Sequence, residues 1–388
     1  MKTNAFILGL SLAQAALGLR VALRLLNTAQ GVRLQAVTEH KQTEASSLSV
    51  IVPVLNEYCR LAPCLEGLLV SGEEVSEILV VDGGSCDGTQ ALVQHYQQCD
   101  PRVRLIDAQP VPSGWNGKAW GLQIGLQHAA LTSSWILTLD ADVRPSAELA
   151  RSLLAFVQRT PLAALSLATQ QDIEGTGQGL LHPALLTTLV YRFGIPGHAT
   201  RRINAIQANG QCFLVRREIL ETCGGFAVGR DSLCEDITVA RTLAAAGHEV
   251  GFYEAEGLVN VRMYDTWRET WQNWPRSLPM HDRFSGWHTL LGWLEIALVQ
   301  ALPLPLFLVL SLLHSRSRPV GRLLLLNGLC VAMRFGVLCG TARAYRRLPW
   351  SYWLSPICDL PVALKLGISV LQRRHSWRGR VIVRGGKL

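Results

Sequence analysis

The sequence predicts an α/β fold with a mostly parallel central sheet, Rossmann-like, and with transmembrane or interfacial helices at both ends. Three observations predict it. Short β-rich runs alternate with helical stretches between residues 48 and 285, the pattern of successive βαβ units. Apolar segments of bilayer-spanning length lie before and after that region. The chain is also 49% hydrophobic and only 17% charged, where ordinary soluble domains are about 25% charged. Disorder is excluded, because the apolar surface available for burial is ample.

The first apolar stretch, residues 5–26, has one base before it and Arg20, Arg24, Arg33 and Lys41 within or after it. A secretory signal has the reverse order, with charge in front and a small-residue cleavage site behind. Residues 1–26 therefore read as a membrane anchor helix whose C-terminal end faces the cytoplasm. Arg20 and Arg24 interrupt the run, so a helix lying on the membrane surface is the second reading. Residues 27–47 are polar and aperiodic, as a linker is.

Residues 48–285 form the α/β unit. Strands are expected at 48–55, 77–81 and 135–139, with helices at 61–69, 89–97, 119–130 and 145–158, the last opened by Pro145. Ligands of such sheets bind beyond the C-terminal ends of the strands. Asn56, Asp82 and Asp140 fall there.

Residues 286–388 form the membrane region, with two or three helices. Residues 289–313 carry one charge, Glu295, and Pro303 and Pro305 are placed to kink them. Residues 320–341 are a second span with Arg334 inside. Residues 351–371 contain Pro356, Asp359, Pro361 and Lys365, which favours an interfacial segment over a span. That choice keeps the basic tail, Arg373 to Lys387, on the cytoplasmic side with the α/β unit. The bases Arg316, Arg318 and Arg322 have no account in either topology. The region has 14 Lys and Arg against two acids, while the rest of the chain is net −4. Bases flanking the most apolar third of a chain suit anionic lipid head groups rather than nucleic acid. Ten cysteines without CxxC or regular spacing give neither a zinc site nor a disulfide framework.

The strongest local signal is Ile136-Leu-Thr-Leu-Asp140-Ala-Asp142. An apolar strand delivers two carboxylates, i and i+2, that share a face and can address one hard divalent cation together with substrate phosphates. Glu77-Ile-Leu-Val-Val-Asp82-Gly-Gly-Ser-Cys-Asp87-Gly-Thr89 repeats the arrangement. Asp87 reads as a cap of the next helix. Asp82 has no evident local job and suits an acceptor for nucleoside N–H or hydroxyl groups. Ser113-Gly-Trp-Asn-Gly117-Lys118 opens a helix; it reads either as an ordinary loop and cap or as backbone N–H groups and a lysine facing phosphate. Glu235-Asp236 begins another helix after Asn209-Gly-Gln. Dipole stabilisation explains acids there, and a deprotonated Asp236 also suits proton acceptance from a hydroxyl. Spacing does not choose between these two.

Taken together, residues 48–279 resemble the family 2 inverting glycosyltransferases with a GT-A fold. The resemblance rests on Pro53, Asn56 and Glu57, the strand-tip Asp82, Asp87-Gly-Thr, Gly-Trp-Asn-Gly-Lys118, Asp140-Ala-Asp142, Asn209-Gly-Gln and Glu235-Asp236. Gly114-Trp115, Arg262-Met-Tyr264 and the trailing apolar segments are similar to the membrane-bound branch acting on carotenoids and hopanoids. The resemblance implies Pro53, Glu57 and Asp82 in the nucleotide pocket and Asp140 and Asp142 as ligands of Mg2+ or Mn2+, Asp142 more directly. It further implies Asp236 as general base, Lys118 near the donor phosphates or sugar, and Arg276 near the diphosphate. Processive polymerases of the family carry Q-x-x-R-W, whereas this chain reads Trp271-Gln-Asn-Trp274-Pro-Arg276.

The expected activity is transfer of one hexose from a UDP- or GDP-sugar to a lipid hydroxyl, an isoprenoid first, by a multi-pass membrane enzyme with a cytoplasmic catalytic domain. Alternative acceptors are a polyprenyl phosphate, a ceramide or a diacylglycerol. A nucleotidyltransferase is disfavoured because no G-x-G-T-R loop follows the first strand, and a non-catalytic scaffold because the acidic residues are retained. Residues 179–195 are apolar and read as either an acceptor-facing element or a buried core helix.

Overall fold

The computed structural model describes residues 2–38, 47–279, 284–312, 317–372, 374–377 and 380–383. Helix α1 (Lys2–Thr28) precedes the α/β unit. There β1 (Leu48–Val54), α2 (Tyr58–Leu69), β2 (Val75–Asp82), α3 (Thr89–Cys99) and β3 (Val103–Asp107) follow in βαβ succession, and α4 (Gly117–His128) leads to β4 (Trp135–Leu139). Next come β5 (Val143–Pro145), α5 (Leu149–Val157), β6 (Ala164–Ala168), β7 (Gln170–Gln171) and the long α6 (Gly175–Phe193). The unit closes with β8 (His198–Thr200), β9 (Cys212–Arg216), α7 (Arg217–Thr222), α8 (Glu235–Ala245), β10 (Val250–Glu254), β11 (Val259–Val261) and α9 (Trp267–Asn273).

The main sheet has eight strands in the order β3-β2-β1-β4-β9-β6-β10-β8. Its pairs are parallel except at β9, antiparallel to both β4 and β6, and at the edge strand β8. The chain winds outward from β1 to β3 and returns on the other side of β1 as β4. This reversal opens a crevice at the carboxyl ends of β1 and β4. Strands such as β1 (LSVIVPV) are near-continuously apolar because both faces are covered. Val50 and Val52 pack with Leu61, Leu65 and Leu153, while Ile51 points to the opposite layer with Leu122, Phe213 and Ile237.

The helix expected to open at Pro145 begins at Leu149 instead. Residues Val143–Pro145 pair with β11 in a small second sheet, β5-β11-β7. Proline, with no N–H to donate, is tolerated at the end of that short edge strand.

The C-terminal region contains α10 (Gly286–Glu295), a π-helical turn (Ile296–Ala301), α11 (Pro303–Leu312), α12 (Arg318–Thr341), a 3₁₀ run (Trp350–Cys358) and α13 (Asp359–Leu371). A two-stranded hairpin, β12 (Arg374–Trp377) and β13 (Arg380–Val383), follows. The distortion expected at Pro303 takes the form of the π turn, in which the Leu302 N–H donates to Ala297 O at 3.0 Å. The wider turn accommodates a ring that would clash in a regular helix. Among the described residues, four segments are long and apolar enough to cross a membrane: Ala5–Thr28, Gly286–Leu312, Arg318–Ala344 and Trp350–Leu371. The last divides into the 3₁₀ run and the 13-residue α13, whose α-helical part is about 20 Å long.

The charges that interrupt these apolar runs meet one another. Arg20 and Arg24 of α1 reach Glu295 of α10 at 2.7 and 2.9 Å. Arg334 of α12 reaches Asp359 of α13 at 2.8 Å, both essentially buried. The domain-side ends of the helices are tied to the α/β unit. The Val32 N–H donates to Gly197 O, the Arg346 N–H to Gln171 O, and Ser351 Oγ to Thr176 O. All ten cysteines are free. Lys41, Arg316 and the side chains of the basic tail from Arg373 to Lys387 lie outside the described residues.

Candidate active site

A cavity of about 930 Å3 occupies the crevice, and Pro53, Glu57, Lys118, Asp140, Asp142, Asp236 and Arg276 all line it. Asp140 and Asp142 follow the last residue of β4 and flank the buried Ala141. Asp236 is the second residue of α8. Lys118 enters from the first turn of α4, whose N-cap Asn116 accepts from the Lys118 N–H and donates to Ser232 O at 2.8 Å. The Asn116 cap thereby joins the start of α4 to the loop before α8.

Lys118 Nζ joins the two acidic pairs, at 2.7 Å from Asp140 Oδ1 and 2.8 Å from Glu235 Oε1. Burial alone would lower its pKa, but Asp140, Glu235 and Asp236 hold it well above the ordinary lysine range. Lys118, which lines the cavity, is also the counter-ion of the acidic cluster. Glu235 is only 4% exposed, and as a member of this cluster it exceeds the helix-dipole role read from sequence.

Asp236 Oδ2 accepts from the Gly210 N–H at 2.6 Å. Burial, with Glu235 adding, pushes its carboxyl up to about 7, against the pull of Lys118. Burial, then Asp140 and Glu57, likewise push Asp142 to about 7. Asp142 Oδ1 is buried without a hydrogen-bond partner. Such an orphaned carboxylate oxygen fits a hard cation. No group of three His, Cys, Asp or Glu forms a cage among the described residues, so these carboxylates fit a cation whose other ligands are water and substrate oxygens.

Asp82 requires a correction. Its carboxylate has a local job after all: it is 1% exposed and accepts from the Gly84 and Ser85 N–H groups, from Ser85 Oγ and from Gln90 Nε2. Gly83 of the same turn lines the cavity, so Asp82 shapes that wall from behind. Asn56, in the left-handed region at φ 55, ties β1 to this turn by accepting from the Cys86 N–H at 2.9 Å; asparagine tolerates that conformation better than most residues. Asp87 accepts from the Thr89 and Tyr58 N–H groups, linking the starts of α3 and α2. The N-cap of α3 itself is Gly88.

The other arm of the cavity is apolar. Leu186, Leu189 and Val190 of α6, with Met263, Trp274 and Leu278, carry it toward Thr341 at the end of α12. Helix α6 is largely buried, as the core-helix reading of residues 179–195 has it, and it also lines the cavity. Arg276 sits in a 3₁₀ turn beside Trp274 and lines the cavity. His182 and Arg60 also line the cavity; a lone residue of either type in a helix carries no spacing signal by which sequence reasoning finds it.

Residues 49–224 match the family model described as glycosyl transferase family 2. Over 97 residues the chain is 37% identical to the lipopolysaccharide core biosynthesis glycosyltransferase LpsC of Rhizobium meliloti (strain 1021), a match covering 25% of this chain and 32% of LpsC. The chain thus spans about a third of that relative's length. Among solved structures, the mannosyltransferase PcManGT from Pyrobaculum calidifontis, in complex with GDP-Man and Mn2+, is similar over 95% of this chain and 98% of its own, with TM-score 0.56 and 17% identity. That likeness covers nearly the whole chain, the C-terminal helices included. By sequence, residues 49–224 are similar to glycosyl transferase family 2, and the fold is shared with a known glycosyltransferase.

Proposed function

We propose that this protein is a membrane-bound inverting glycosyltransferase. It moves a single hexose from a UDP- or GDP-hexose to the hydroxyl of a lipid, an isoprenoid such as a carotenoid or hopanoid being the first candidate. The observation that carries the reading is one cavity with an acidic, lysine-bridged end and an apolar arm that runs along α6 to the membrane helices. The GDP-mannose and Mn2+ of the mannosyltransferase support the donor class and the cation. The name of LpsC favours a second acceptor, a lipid-anchored saccharide.

In this mechanism the acceptor hydroxyl enters from the apolar arm and Asp236 takes its proton. The hydroxyl oxygen bonds to the anomeric carbon as the bond from that carbon to the diphosphate oxygen breaks, and a single displacement inverts the configuration. Proton acceptance of this kind contributes about 10²–10⁴-fold. Lys118 holds Asp140 and Glu235 in place, and Asp82 holds the Gly83–Ser85 turn against the nucleoside. Asp142 and Asp140 would hold Mg2+ or Mn2+, which offsets charge on the departing nucleoside diphosphate. Arg276 is assigned to the diphosphate.

The α1 C-terminal end, the α10 N-terminal end and the α12 C-terminal end all lie on the side of the α/β unit, which supports three spans. With the catalytic unit cytoplasmic, residues 350–371 return to its surface as an interfacial segment. Membranes containing the protein, given radiolabelled UDP-glucose or GDP-mannose with Mn2+, should yield solvent-extractable labelled lipid, and excess EDTA should abolish it. Label appearing in a saccharide-bearing lipid selects the second acceptor. Hydrolysis of donor with no labelled lipid from any extract would sink the reading.

A further inference from the structure

We propose that a second cleft, between α1, the end of α6 and α10, binds the head group of an anionic glycerophospholipid from the surrounding bilayer. The inference rests on the membrane placement proposed above but not on sugar transfer. The cleft has a volume of about 970 Å3, and no residue lines both it and the catalytic cavity. Five arginines line it, Arg20, Arg24, Arg192, Arg201 and Arg202, with Glu295 the carboxylate among its described lining residues.

That carboxylate is already shared between Arg20 and Arg24. Arg192 donates to the carbonyls of Thr188, Leu278 and Pro279. Burial, then the nearby charge of Arg241, with Arg24 adding, pulls its pKa down to about 9. Arg201 reaches Glu249 at 3.5 Å while remaining 63% exposed, and Arg202 is exposed. The cleft thus has surplus positive charge, part of it desolvated, and a phosphate would offset that charge.

The remaining wall identifies the source of the phosphate. Ala16, Leu19 and Leu23 of α1 and Leu291 of α10 line the same cleft beside the arginines, and Leu19 and Leu23 are 61% and 49% exposed. A free phosphate has nothing to place on those side chains, whereas the acyl chains of a lipid lie along them. Basic residues beside an apolar helix face are the usual composition of an anionic lipid site. Because α6 separates this cleft from the catalytic cavity, a lipid seated here would fix the helix that lines the apolar arm.

The test uses the purified full-length protein in detergent, with phosphatidylglycerol or phosphatidylcholine added and retained lipid counted by native mass spectrometry. Phosphatidylglycerol should be retained at least tenfold better. The variant Arg201→Gln/Arg202→Gln changes two exposed side chains and should weaken that retention roughly 25-fold, about fivefold for each base near a membrane surface. Should the pair fail to fold, Arg202→Gln alone should show about a fivefold loss. Equal retention of the two lipids, or retention indifferent to the substitutions, overturns the proposal. Displacement of phosphatidylglycerol by equimolar inorganic phosphate would make the cleft a free-phosphate site and overturn the lipid assignment. A protein that selects phosphatidylglycerol but transfers no sugar keeps this inference and loses the proposed function; the reverse outcome loses this inference alone.

Discussion

In the catalytic cavity Lys118 is met by Asp140 and Glu235, with Asp236 nearby, and Asp142 keeps a buried oxygen without a partner. Between α12 and α13 one guanidinium, Arg334, meets one carboxylate, Asp359, at 2.8 Å. Both are buried charge clusters. The first leaves carboxylates in excess over lysine, and burial, with the neighbouring carboxylates adding, raises Asp142 and Asp236 to about 7. The second is matched one to one, and Gln300 and Ser355 add hydrogen bonds to it. The difference separates chemistry from architecture: imbalance prepares a site for a cation and a proton, while balance lets charged residues sit among apolar helices.

The largest expected effect breaks the first cluster. Asp236→Asn should lower kcat by about 10²–10⁴-fold, the usual worth of a positioned base. Donor binding, read by titration with the nucleotide sugar, should persist. Turnover within threefold of the parent would remove Asp236 from the proton path.

Breaking the matched pair should instead cost stability. Arg334→Met leaves Asp359 buried and unpaired, at about 3–5 kcal/mol. The double variant Arg334→Met/Asp359→Leu should recover most of the loss in Tm. If the double variant melts as low as the single one, the pair is not the balanced unit described here.

A pH series sharpens the contrast through Asp236. Its folded value of about 7 lies above the ordinary 3.8, so between those values the folded chain holds a proton that the unfolded chain has lost. Stability without metal or nucleotide should therefore fall as pH rises through that window, by at most about 1.4 kcal/mol per unit. Turnover should move the other way, rising through about pH 7 as the base becomes free to accept a proton. The Asp236→Asn variant should flatten the stability slope, and a slope unchanged in that variant would assign it to other groups.

The smallest effect tests the crowding around Lys118. An added Cβ at Gly210 would lie 2.7 Å from Lys118 Nζ. Gly210→Ala should therefore cost about 1–3 kcal/mol through overpacking. It should also reduce turnover more than donor affinity, because the Gly210 N–H holds Asp236.

Strands β1, β2 and β4 were legible because each is a short, continuously apolar run ending in a polar residue, which parallel strands buried on both faces require. The Asp140–Asp142 pair stood out by its place after an apolar strand, although both residues lie beyond β4, Asp142 in the turn before β5, where strand periodicity does not apply. The local job of Asp82 was missed because its donors, Gly84, Ser85 and Gln90, lie in the turn and helix that follow it. Which N–H groups a carboxylate meets depends on backbone dihedrals that composition does not specify. The 3₁₀ run at Trp350–Cys358 and the π turn before Pro303 escaped for a related reason. The first packs against α6, distant in sequence, and the second is the form taken by the kink expected at Pro303.

Sequence alone determined what is local or periodic: an α/β unit between apolar helices, carboxylates at strand tips and acids at a helix start. Hydrophobic period and chain order are properties of neighbouring residues, so no folded partner is needed to read them. Only the tertiary structure decided the pairings. Lys118 joined the two acidic motifs, Glu295 answered Arg20 and Arg24, and Asp359 answered Arg334. A buried charge takes whichever partner the packing delivers within a few ångströms, and the distance along the chain between them has no bearing on the energy gained.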